Sequence, residues 1–473
     1  MSIIYDLFYE SVKKEPEKIS VICKNQAYTY QQLSYQCDQY ANKLFEVTQG
    51  EKRLIAVSVS RSFEYIACIL SILRCGCTYL PIDQDLPRER ILSIFKISKT
   101  SLLITSNRTR DSYIPVEQIA IDELVAKQEY EMNPKQHLED DAYLIFTSGS
   151  SGISKGVEIS NQALLSFIRS FSERIHIEEN TSILAISSYS FDISFVELFL
   201  PLFYGMQIIL ANDIERKSPK KLWKLIQTYK PEVIQITPSY LRFLLTYEDE
   251  DTTFETTKKI ILGGERINWS LVELLQRYKK LRIFNAYGPT EATIWCSVGE
   301  LTNCNYVHAG TPLSNTKLAI SEEEELLIGG ECLFSGYYHD KVKTKEKMIN
   351  YEGGLYYRSG DLVKRSDSGE YIILGRVDNQ VKIDGHRIEL EDIECNINEN
   401  FEFENCAVDY DNHRLILYYA GTQSVTRKEL FDRLNMKLPV YMIPSQIYQL
   451  DHIPLNSNGK TDRIALRRLE KPS

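Results

Sequence analysis

The chain has 473 residues, a length that predicts roughly one to four domains. Hydrophobic residues make up 43% and charged residues 25%, which argues against disorder, collagen and coiled coil. The formal net charge of −10 argues against nucleic acid or an anionic membrane surface as a partner. No apolar stretch reaches the roughly 18 residues of a membrane span, and the N-terminus lacks a basic signal region, so a cytoplasmic protein is predicted.

The first half of the chain alternates apolar runs with segments of helical spacing. Strands are predicted at 54–60, 78–83 and 101–105. Helices are predicted between them, over 62–74 and from Pro87 onward. Strand–helix–strand alternation is typical of parallel α/β layers, so the fold class is predicted to be α/β.

The pattern changes near residue 378, where the segments become shorter and more charged. The remaining residues suffice for a small α+β domain with its own core. The boundary is predicted to fall in GRVDNQ (375–380), which gives a large domain at 1–377 and a small domain at 378–473.

The strongest local motif is FTSGSSGISKG (146–156), in which an apolar strand enters a loop of small residues. Glycines let the backbone approach an anion, and the hydroxyls and Lys155 can donate to phosphate oxygens. A strand-like run follows Gly156, whereas a Walker A loop must enter a helix. A plain hairpin explains this stretch equally well. The candidate phosphate-binding residues are Thr147, Ser148, Gly149, Ser150, Ser151, Gly152 and Lys155.

This loop resembles the phosphate-binding loop of the adenylate-forming enzymes, in particular the amino-acid adenylation domains of nonribosomal peptide synthetases. The family's other motifs follow in the expected order and span most of the chain. They are YTYQQLS (28–34), LRCGCTYLPID (73–83), FDIS (191–194), NAYGPTEATIW (285–295), LLIGGECLFSGYY (326–338), YRSGD (357–361), GRVDNQVKIDGHRIE (375–389), LPVYMIP (438–444) and NSNGKTDR (456–463). The resemblance implies a large α/β domain that binds ATP and an amino acid, followed by a small mobile α+β domain.

The motif NAYGPTE supplies candidate contacts to ATP and Mg²⁺. Tyr287 suits stacking on adenine, and Thr290 can donate to the α-phosphate. Glu291 is a hard oxygen ligand for Mg²⁺ and is the candidate metal ligand. A helix N-terminus with Thr290 and Glu291 in its first turn is the structural alternative. The resemblance adds Asn285 to the nucleotide-binding residues.

A second carboxylate, Asp361 in YRSGD, resembles the family's acceptor for both ribose hydroxyls, a task that suits an ionised carboxylate. Arg376 in GRVD is expected near the ribose or the phosphates. An ordinary turn aspartate and a surface ion pair are the alternatives for these two residues.

The resemblance assigns the main catalytic charge to Lys460 in NSNGKTDR. Thr290 and Glu291 are the other two candidate catalytic residues. In the family the equivalent lysine bridges the substrate carboxylate and ATP, whose negative charges repel each other. Asp378 matches the hinge about which the small domain turns. Lys382 matches the loop presented for thioester formation, although it could equally be a solvated strand residue.

The motif FDIS indicates the substrate class. In amino-acid-activating members the aspartate at Asp192 binds the substrate ammonium, and an ammonium removed from water needs a carboxylate partner. A surface-turn aspartate is the alternative. The pocket positions implied by the resemblance are Asp192, Ile193, Val196, Gln235, Ile261, Gly263, Ala286, Ile294, Trp295 and Lys460. The lining resembles that of glycine-activating domains, since Trp295 and Gln235 fill the space of a side chain, whereas the small Ala286 leaves room for a methyl group.

The resulting hypothesis is a ligase that uses ATP and Mg²⁺ to convert a small amino acid, best glycine, into aminoacyl-AMP. The aminoacyl group then passes to the phosphopantetheine of a carrier protein. No GGxS carrier motif follows the last family motif, so the carrier is expected in trans and the enzyme is expected to be free-standing. The alternatives are a D-alanine or alanine carrier-protein ligase, an acyl- or aryl-CoA synthetase, and a nucleotide-binding pseudoenzyme. One departure from the family pattern is Asp384, where members usually have arginine.

Overall fold

The computed structural model describes residues 3–106, 113–126, 129–130, 137–148, 154–178, 180–247, 254–411, 414–455 and 461–469. Within these ranges the helices are α1 (Ile3–Lys14), α2 (Tyr30–Thr48), α3 (Phe63–Arg74), α4 (Arg88–Ser98), α5 (Asn161–Ile175), α6 (Ile193–Phe203), α7 (Asp213–Arg216), α8 (Pro219–Tyr229), α9 (Pro238–Leu245), α10 (Trp269–Leu275), α11 (Lys341–Lys347), α12 (Leu390–Asn400), α13 (Arg427–Leu434) and α14 (Arg463–Arg468).

The strands of the same ranges are β1 (Ile19–Cys23), β2 (Gln26–Thr29), β3 (Leu54–Ser58), β4 (Thr78–Pro81), β5 (Leu102–Thr105), β6 (Glu117–Ala120), β7 (Asp141–Thr147), β8 (Lys155–Ser160), β9 (Ser182–Ala185), β10 (Gln207–Leu210), β11 (Val233–Ile236), β12 (Lys259–Gly263), β13 (Arg282–Tyr287), β14 (Ser297–Glu300), β15 (Thr311–Pro312), β16 (Thr316–Ile320), β17 (Glu325–Gly330), β18 (Gly336–Tyr337), β19 (Met348–Tyr351), β20 (Gly354–Arg365), β21 (Tyr371–Arg376), β22 (Gln380–Ile383), β23 (His386–Glu389), β24 (Asn405–Asp411), β25 (Arg414–Ala420) and β26 (Gln446–Leu450).

A seven-stranded sheet has the order β18-β8-β7-β4-β3-β5-β6. It contains the predicted alternation of β3, α3, β4, α4 and β5, and β3 pairs in parallel with both β4 and β5. Helix α3 begins where the Ser62 hydroxyl accepts the Tyr65 N–H, and ten of its twelve residues are buried. Parallel strands joined by such helices are covered on both faces, which explains why these strands are continuous apolar runs.

A nine-stranded sheet positions the candidate site. Its order is β15-β14-β13-β12-β11-β9-β10-β1-β2, and the strands β1, β10, β9, β11, β12 and β13 run parallel. In open α/β sheets, ligands bind beyond the carboxyl ends of the parallel strands. The segments that follow β9, β11, β12 and β13 therefore meet at one edge of this sheet.

The chain forms two compact units. The first contains residues 1–84, 98–145 and 156–377, and the second contains 85–97, 146–155 and 378–473. The short segment 85–97 and the described residues of 146–155 thus pack with the second unit although they precede residue 377. The predicted mobility of a domain at 378–473 stays a prediction.

Each unit has its own apolar interior. Two buried clusters lie in the first unit, and the second unit has a cluster that includes Ile388, Leu417 and Leu434. The two large sheets and the helices that connect their parallel strands confirm the predicted α/β class. Among the helices described above, none is long and apolar enough to pass through a membrane.

Candidate active site

The carboxylate of Asp361 lies on a strand of the first unit and is hydrogen-bonded to a side chain of the neighbouring strand. Asp361 of β20 is paired in register with Arg376 of β21, whose Nη1 donates to Asp361 Oδ1 at 2.8 Å. The Tyr287 hydroxyl donates to Asp361 Oδ2. Burial raises the pKa of Tyr287 well above its usual range, and the Asp361 charge adds to this effect. Tyr287 therefore stays protonated and serves as a donor.

The Arg376 guanidinium is itself oriented by the backbone, because Nη2 donates to the Ser359 carbonyl at 3.3 Å. The Asp361 and Arg376 side chains are only 12% and 18% exposed. Charge-assisted hydrogen bonds of this kind are roughly twice as strong as those between neutral groups. The predicted ribose acceptor and its predicted cationic neighbour are thus in direct contact.

Strand β13 separates two sets of candidate residues by alternation. Asn285 and Tyr287 project to one face of the sheet and Ala286 to the other. The Asn285 side-chain amide donates to the His308 carbonyl at 2.8 Å. Ala286 pairs with Gly263 of β12 and is 2% exposed. One strand therefore serves both the predicted nucleotide residues and the predicted amino-acid pocket.

Thr290 and Glu291 lie in a single 3₁₀ turn, Thr290–Ala292, rather than in the first turn of an α-helix. Glu291 is fully buried, and its Oε1 accepts the Tyr337 hydroxyl at 2.7 Å. Sequence analysis did not single out Tyr337, although it lies within the quoted motif LLIGGECLFSGYY.

The donor chemistry of Glu291 fits a magnesium ion. Mg²⁺ is usually held by one or two carboxylates together with substrate phosphates. The described ranges contain no group of three or more acidic, histidine or cysteine side chains that could hold a metal by themselves. A single carboxylate that shares the ion with a nucleotide is the arrangement these residues allow.

The chain reverses sharply after the 3₁₀ turn. Thr293 and Ile294 have φ angles of 52° and 71°, in the left-handed region that β-branched residues rarely adopt. The Thr293 hydroxyl donates to the Cys332 carbonyl at 2.7 Å and helps to hold this conformation. Strain of this kind concentrates at functional sites. Its consequence here is to direct Trp295 back toward β12.

Trp295, a predicted pocket residue, is buried and is fixed by the side-chain amide of Gln235. Its Nε1 donates to Gln235 Oε1 at 3.1 Å, and Gln235 Nε2 donates to the Ile193 carbonyl at 2.8 Å. Both side chains are 1% exposed. A Cβ atom at Gly263 would lie 2.6 Å from the Trp295 ring and 2.8 Å from the Ala286 carbonyl oxygen. Only glycine at 263 leaves room for this ring.

Asp192 lies at the N-terminal cap position of α6 and is 7% exposed. Helix N-termini favour a negative charge. After burial, the Asp192 charge is the next cause that raises the pKa of Tyr143 well above its usual range. The Tyr143 hydroxyl is buried and has no hydrogen-bond partner among the described residues. Sequence analysis did not predict Tyr143, whose strand β7 offers no sign of function other than leading into the small-residue loop.

The structure brings the predicted pocket residues to neighbouring elements. Gln235 pairs with Ile261 across β11 and β12, and Gly263 pairs with Ala286 across β12 and β13. Except for the half-buried Ile193, all of the residues in this set are buried: Asp192, Val196, Gln235, Ile261, Gly263, Ala286, Ile294 and Trp295.

The described part of the small-residue loop belongs to the second unit. Ser148 Oγ donates to the Arg387 carbonyl at 2.6 Å, and Lys155 Nζ lies 3.3 Å from Glu389 Oε1. The Thr147 hydroxyl is buried without a hydrogen-bond partner among the described residues, which suits a donor to a phosphate oxygen. Gly149, Ser150, Ser151, Gly152 and the predicted catalytic Lys460 lie outside the described residues.

The predicted hinge and thioester residues also belong to the second unit. Asp378 is exposed, and Lys382 is half-buried in β22, where it pairs with Arg387 of β23. Asp384 and Gly385 join these strands, and both have positive φ angles of 50° and 81°. A two-residue Asp-Gly connection with two positive φ angles is a type I′ hairpin turn, which explains the aspartate at this position.

The fold is that of the adenylate-forming enzymes. A solved structure of o-succinylbenzoate CoA synthetase from Bacillus subtilis aligns with a TM-score of 0.87 and 20% identity, over 98% of both chains. A Vibrio cholerae adenylation domain in complex with glycyl-adenosine-5′-phosphate aligns with a TM-score of 0.86 and 20% identity, over 99% of this chain and 97% of that chain.

The sequence comparison identifies the family to which the chain belongs. The AMP-binding enzyme family matches residues 8–338, and the chain belongs to this family. A dimodular nonribosomal peptide synthase of Bacillus subtilis strain 168 is 30% identical over 98% of this chain. Gramicidin S synthase 2 of Brevibacillus brevis is 33% identical over 98% of this chain. The chain spans only 21% and 11% of the length of these two relatives.

Proposed function

We propose that this protein activates a small amino acid, best glycine, by adenylation and then transfers it to the phosphopantetheine thiol of a carrier protein supplied in trans. The observation that carries the proposal is the cluster of buried residues on and beside β11, β12 and β13, together with the buried Asp192 at the start of α6. A buried carboxylate suits an ammonium group removed from water. The similarity to nonribosomal peptide synthetases supports the same reaction class.

In the first step a substrate carboxylate oxygen forms a bond to the α-phosphorus of ATP, and the bond from that phosphorus to pyrophosphate breaks. Asp361 accepts the ribose hydroxyls, with Arg376 and Tyr287 keeping its carboxylate oriented. Lys460 offsets the repulsion between the two anions that meet. A bound Mg²⁺ supplies further positive charge to the phosphates, and Glu291 is the residue that would hold it.

In the second step the carrier thiol attacks the carbonyl carbon of the aminoacyl-AMP. The sulfur–carbon bond forms, AMP leaves and the thiol proton is released. Asp378 is the proposed hinge and Lys382 the proposed thioester-step residue. These two roles rest on the family resemblance.

The preference for glycine is supported by the packing of the pocket. Trp295 is held by Gln235 and lies against the bare backbone of Gly263, which supports the expectation that these bulky side chains fill the space of a substrate side chain. Clash excludes a larger substrate more strongly than contact retains a small one, since one methylene contributes about 1–3 kcal/mol. Alanine, including D-alanine, is the next candidate because Ala286 is small.

An acyl- or aryl-CoA synthetase is the second candidate function. The alignment with o-succinylbenzoate CoA synthetase favours it at the level of the fold. A substrate without an amino group has no need of the buried Asp192, and this observation favours amino-acid activation.

The test is ATP–pyrophosphate exchange with the twenty amino acids, D-alanine and β-alanine, followed by loading of a separately supplied phosphopantetheinylated carrier protein. We expect glycine to support the fastest exchange, and the carrier to gain the mass of one glycyl group. Exchange supported best by carboxylic acids without an amino group would establish the second candidate function.

Lys460→Ala tests the proposed charge. The loss of one preorganised cation should lower exchange on the order of 10²–10³-fold while ATP still binds. Lys428→Ala, at an exposed lysine of α13, is the matched control and should behave as the wild type. Unchanged exchange in Lys460→Ala would refute the proposed mechanism.

A further inference from the structure

The segment 186–192 joins β9 to α6 and ends at Asp192. Its N–H groups at Ile186 and Ser187 both donate to Oε2 of Glu197, at 2.8 and 2.9 Å. The Ser187 hydroxyl donates to Oε1 of the same carboxylate. Glu197 is 1% exposed, so these hydrogen bonds form away from water, where they are stronger.

The carbonyl groups of the same region are bound by Arg61, which is 3% exposed. Its Nη2 donates to the Ala185 carbonyl at 2.8 Å, and its Nε donates to the Ala211 carbonyl at 2.7 Å. Its Nη1 donates to the Ser187 carbonyl. The guanidinium carbon lies 4.4 Å from the centroid of the Tyr189 ring, within the range of a cation–π contact.

A third charged residue holds the middle of the segment. The hydroxyls of Ser188 and Ser190 both donate to Oδ2 of Asp83, the second at 3.3 Å. We call Arg61, Asp83 and Glu197 the charged clamp. Arg61 and Asp83 come from earlier parts of the chain and Glu197 from α6, and together they bind the amides, carbonyls and hydroxyls of the segment.

Glu197 also reaches the wall of the pocket. Its Oε1 accepts a long hydrogen bond, 3.4 Å, from Gln235 Nε2. Gln235 in turn accepts the Trp295 indole N–H and donates to the Ile193 carbonyl. One carboxylate therefore contacts both the segment that ends at Asp192 and the amide that fixes Trp295.

We propose that Glu197 is a positioning residue of the amino-acid subsite, which fixes Asp192 relative to the wall formed by Gln235 and Trp295. The inference rests on the proposed function, because it assigns the ammonium to Asp192. Glu197 then supports both the binding of the substrate ammonium and the exclusion of larger substrate side chains. Displacement of that support should weaken amino-acid binding and selectivity together, while ATP binding is unaffected.

Glu197→Gln is the sharpest variant because it keeps the size of the side chain. The glutamine amide offers one acceptor oxygen and one NH₂ group. Either the two backbone N–H donors, or the Ser187 hydroxyl and the Gln235 amide, would then face the NH₂ group instead of an acceptor. Small misplacements of this kind can cost up to about 10²-fold. We expect the KM for glycine to rise on the order of 10- to 100-fold, the preference for glycine over alanine to fall, and the KM for ATP to stay unchanged.

Glu325→Gln is the matched control. Glu325 is also a buried glutamate, and it accepts the Gly360 N–H at 2.9 Å and the Arg358 guanidinium. It lies on β17, which pairs with the strand of Asp361, and it is not part of the charged clamp. We expect this variant to leave the KM for glycine and the selectivity against alanine unchanged. Equal effects of both variants on the KM for glycine would mean that Glu197 acts only on stability.

Ser187→Ala is a milder variant in case Glu197→Gln does not fold. It removes one hydroxyl donor and keeps both backbone amides, so the KM for glycine should rise roughly threefold, the effect of one net hydrogen bond. An unchanged KM for glycine in each of these variants that folds would overturn the positioning role.

Hydrogen exchange at the Ile186 and Ser187 amides separates this inference from the proposed function. Glu197→Gln should speed exchange at these amides on the order of tenfold, whatever the substrate is, because a charge-assisted acceptor is lost. Unchanged amide exchange overturns the positioning role. Wild-type protein without amino-acid-dependent pyrophosphate exchange would instead overturn the proposed function, independently of the amide result.

Discussion

Two carboxylates of the first unit, Asp361 and Asp192, are held in different ways. Asp361 is bound directly by Arg376 and Tyr287. The position of Asp192 depends on a segment whose backbone is bound by Arg61 and Glu197. The nucleotide subsite is therefore built by direct contacts between residues of three quoted motifs. The amino-acid subsite depends instead on a backbone segment that is held by Glu197 of α6 and by Arg61 from a distant part of the chain.

The largest expected effect is that of Asp192→Asn. The substrate ammonium would lose its buried counter-charge, and loss of one partner of such a pair should lower kcat/KM for glycine about 10²- to 10³-fold. Steady-state kinetics should show an unchanged KM for ATP. A raised KM for ATP with normal glycine binding would mean that the two carboxylates do not belong to separate subsites.

Asp361→Asn tests the other half of the comparison. The variant removes the charge that Arg376 contacts and weakens acceptance of the ribose hydroxyls, so the KM for ATP should rise roughly 10- to 100-fold. The KM for glycine should stay within twofold of the wild type, which is roughly the scatter between conservative variants. A larger change in glycine binding would show that Asp361 also shapes the amino-acid pocket.

Gly263→Ala sharpens the account of the pocket wall. The added methyl group would meet the Trp295 ring and the Ala286 carbonyl, and overpacking of this kind destabilises by about 1–3 kcal/mol. Denaturant unfolding measures this loss. Gly375→Ala is the control, since its Cβ has nothing within 4 Å, and it should unfold as the wild type does. Equal stability of the two variants would contradict the close packing of Trp295.

The smallest expected effect lies at Glu158, which belongs to neither subsite. Burial, and next the charge of Asp141, raise the pKa of Glu158 to about 7, and the two carboxyl groups are hydrogen-bonded. Burial also raises the pKa of Asp141, and the nearby Asp140 charge adds to this effect. The Ser335 hydroxyl, which donates to Asp141 at 2.8 Å, partly opposes it. The folded state thus holds the Glu158 proton more tightly than the unfolded state.

Stability should therefore fall as the pH rises from the unfolded pKa toward about 7, and then level off. Glu158→Gln removes this titration, so its melting temperature at about pH 8 should exceed that of the wild type by on the order of 2 °C. Near pH 4 the difference should vanish. A wild-type melting temperature that rises across this interval would contradict the raised pKa.

The part of the fold that could be predicted from the sequence follows local patterns. The alternation over 54–105 predicted β3, α3, β4, α4 and β5, and these elements form as parallel layers. The boundaries differ by a few residues, since strand ends depend on pairing with neighbours. The pairing of Asp361 with Arg376 joins residues of two quoted motifs, so both were found.

The charged clamp could not be predicted because its contacts connect residues far apart, such as Arg61 and Ala211. One local sign was present: Glu197 is an acidic residue within the apolar run 195–210. A carboxylate in such a run must be paired or hydrogen-bonded if it is buried, although the sequence does not identify its donors. The Asp384–Gly385 turn could have been predicted from the sequence, since Asp-Gly is a strong hairpin pattern.

The central claim is that Asp192 binds the ammonium group of the substrate. It is tested most directly by pyrophosphate exchange with glycine and with acetate, which lacks only the amino group, in the wild type and in Asp192→Asn. The account predicts strong exchange with glycine in the wild type alone, and background exchange with acetate in both proteins. Wild-type exchange as fast with acetate as with glycine, or an Asp192→Asn variant that keeps its preference for glycine, would contradict it.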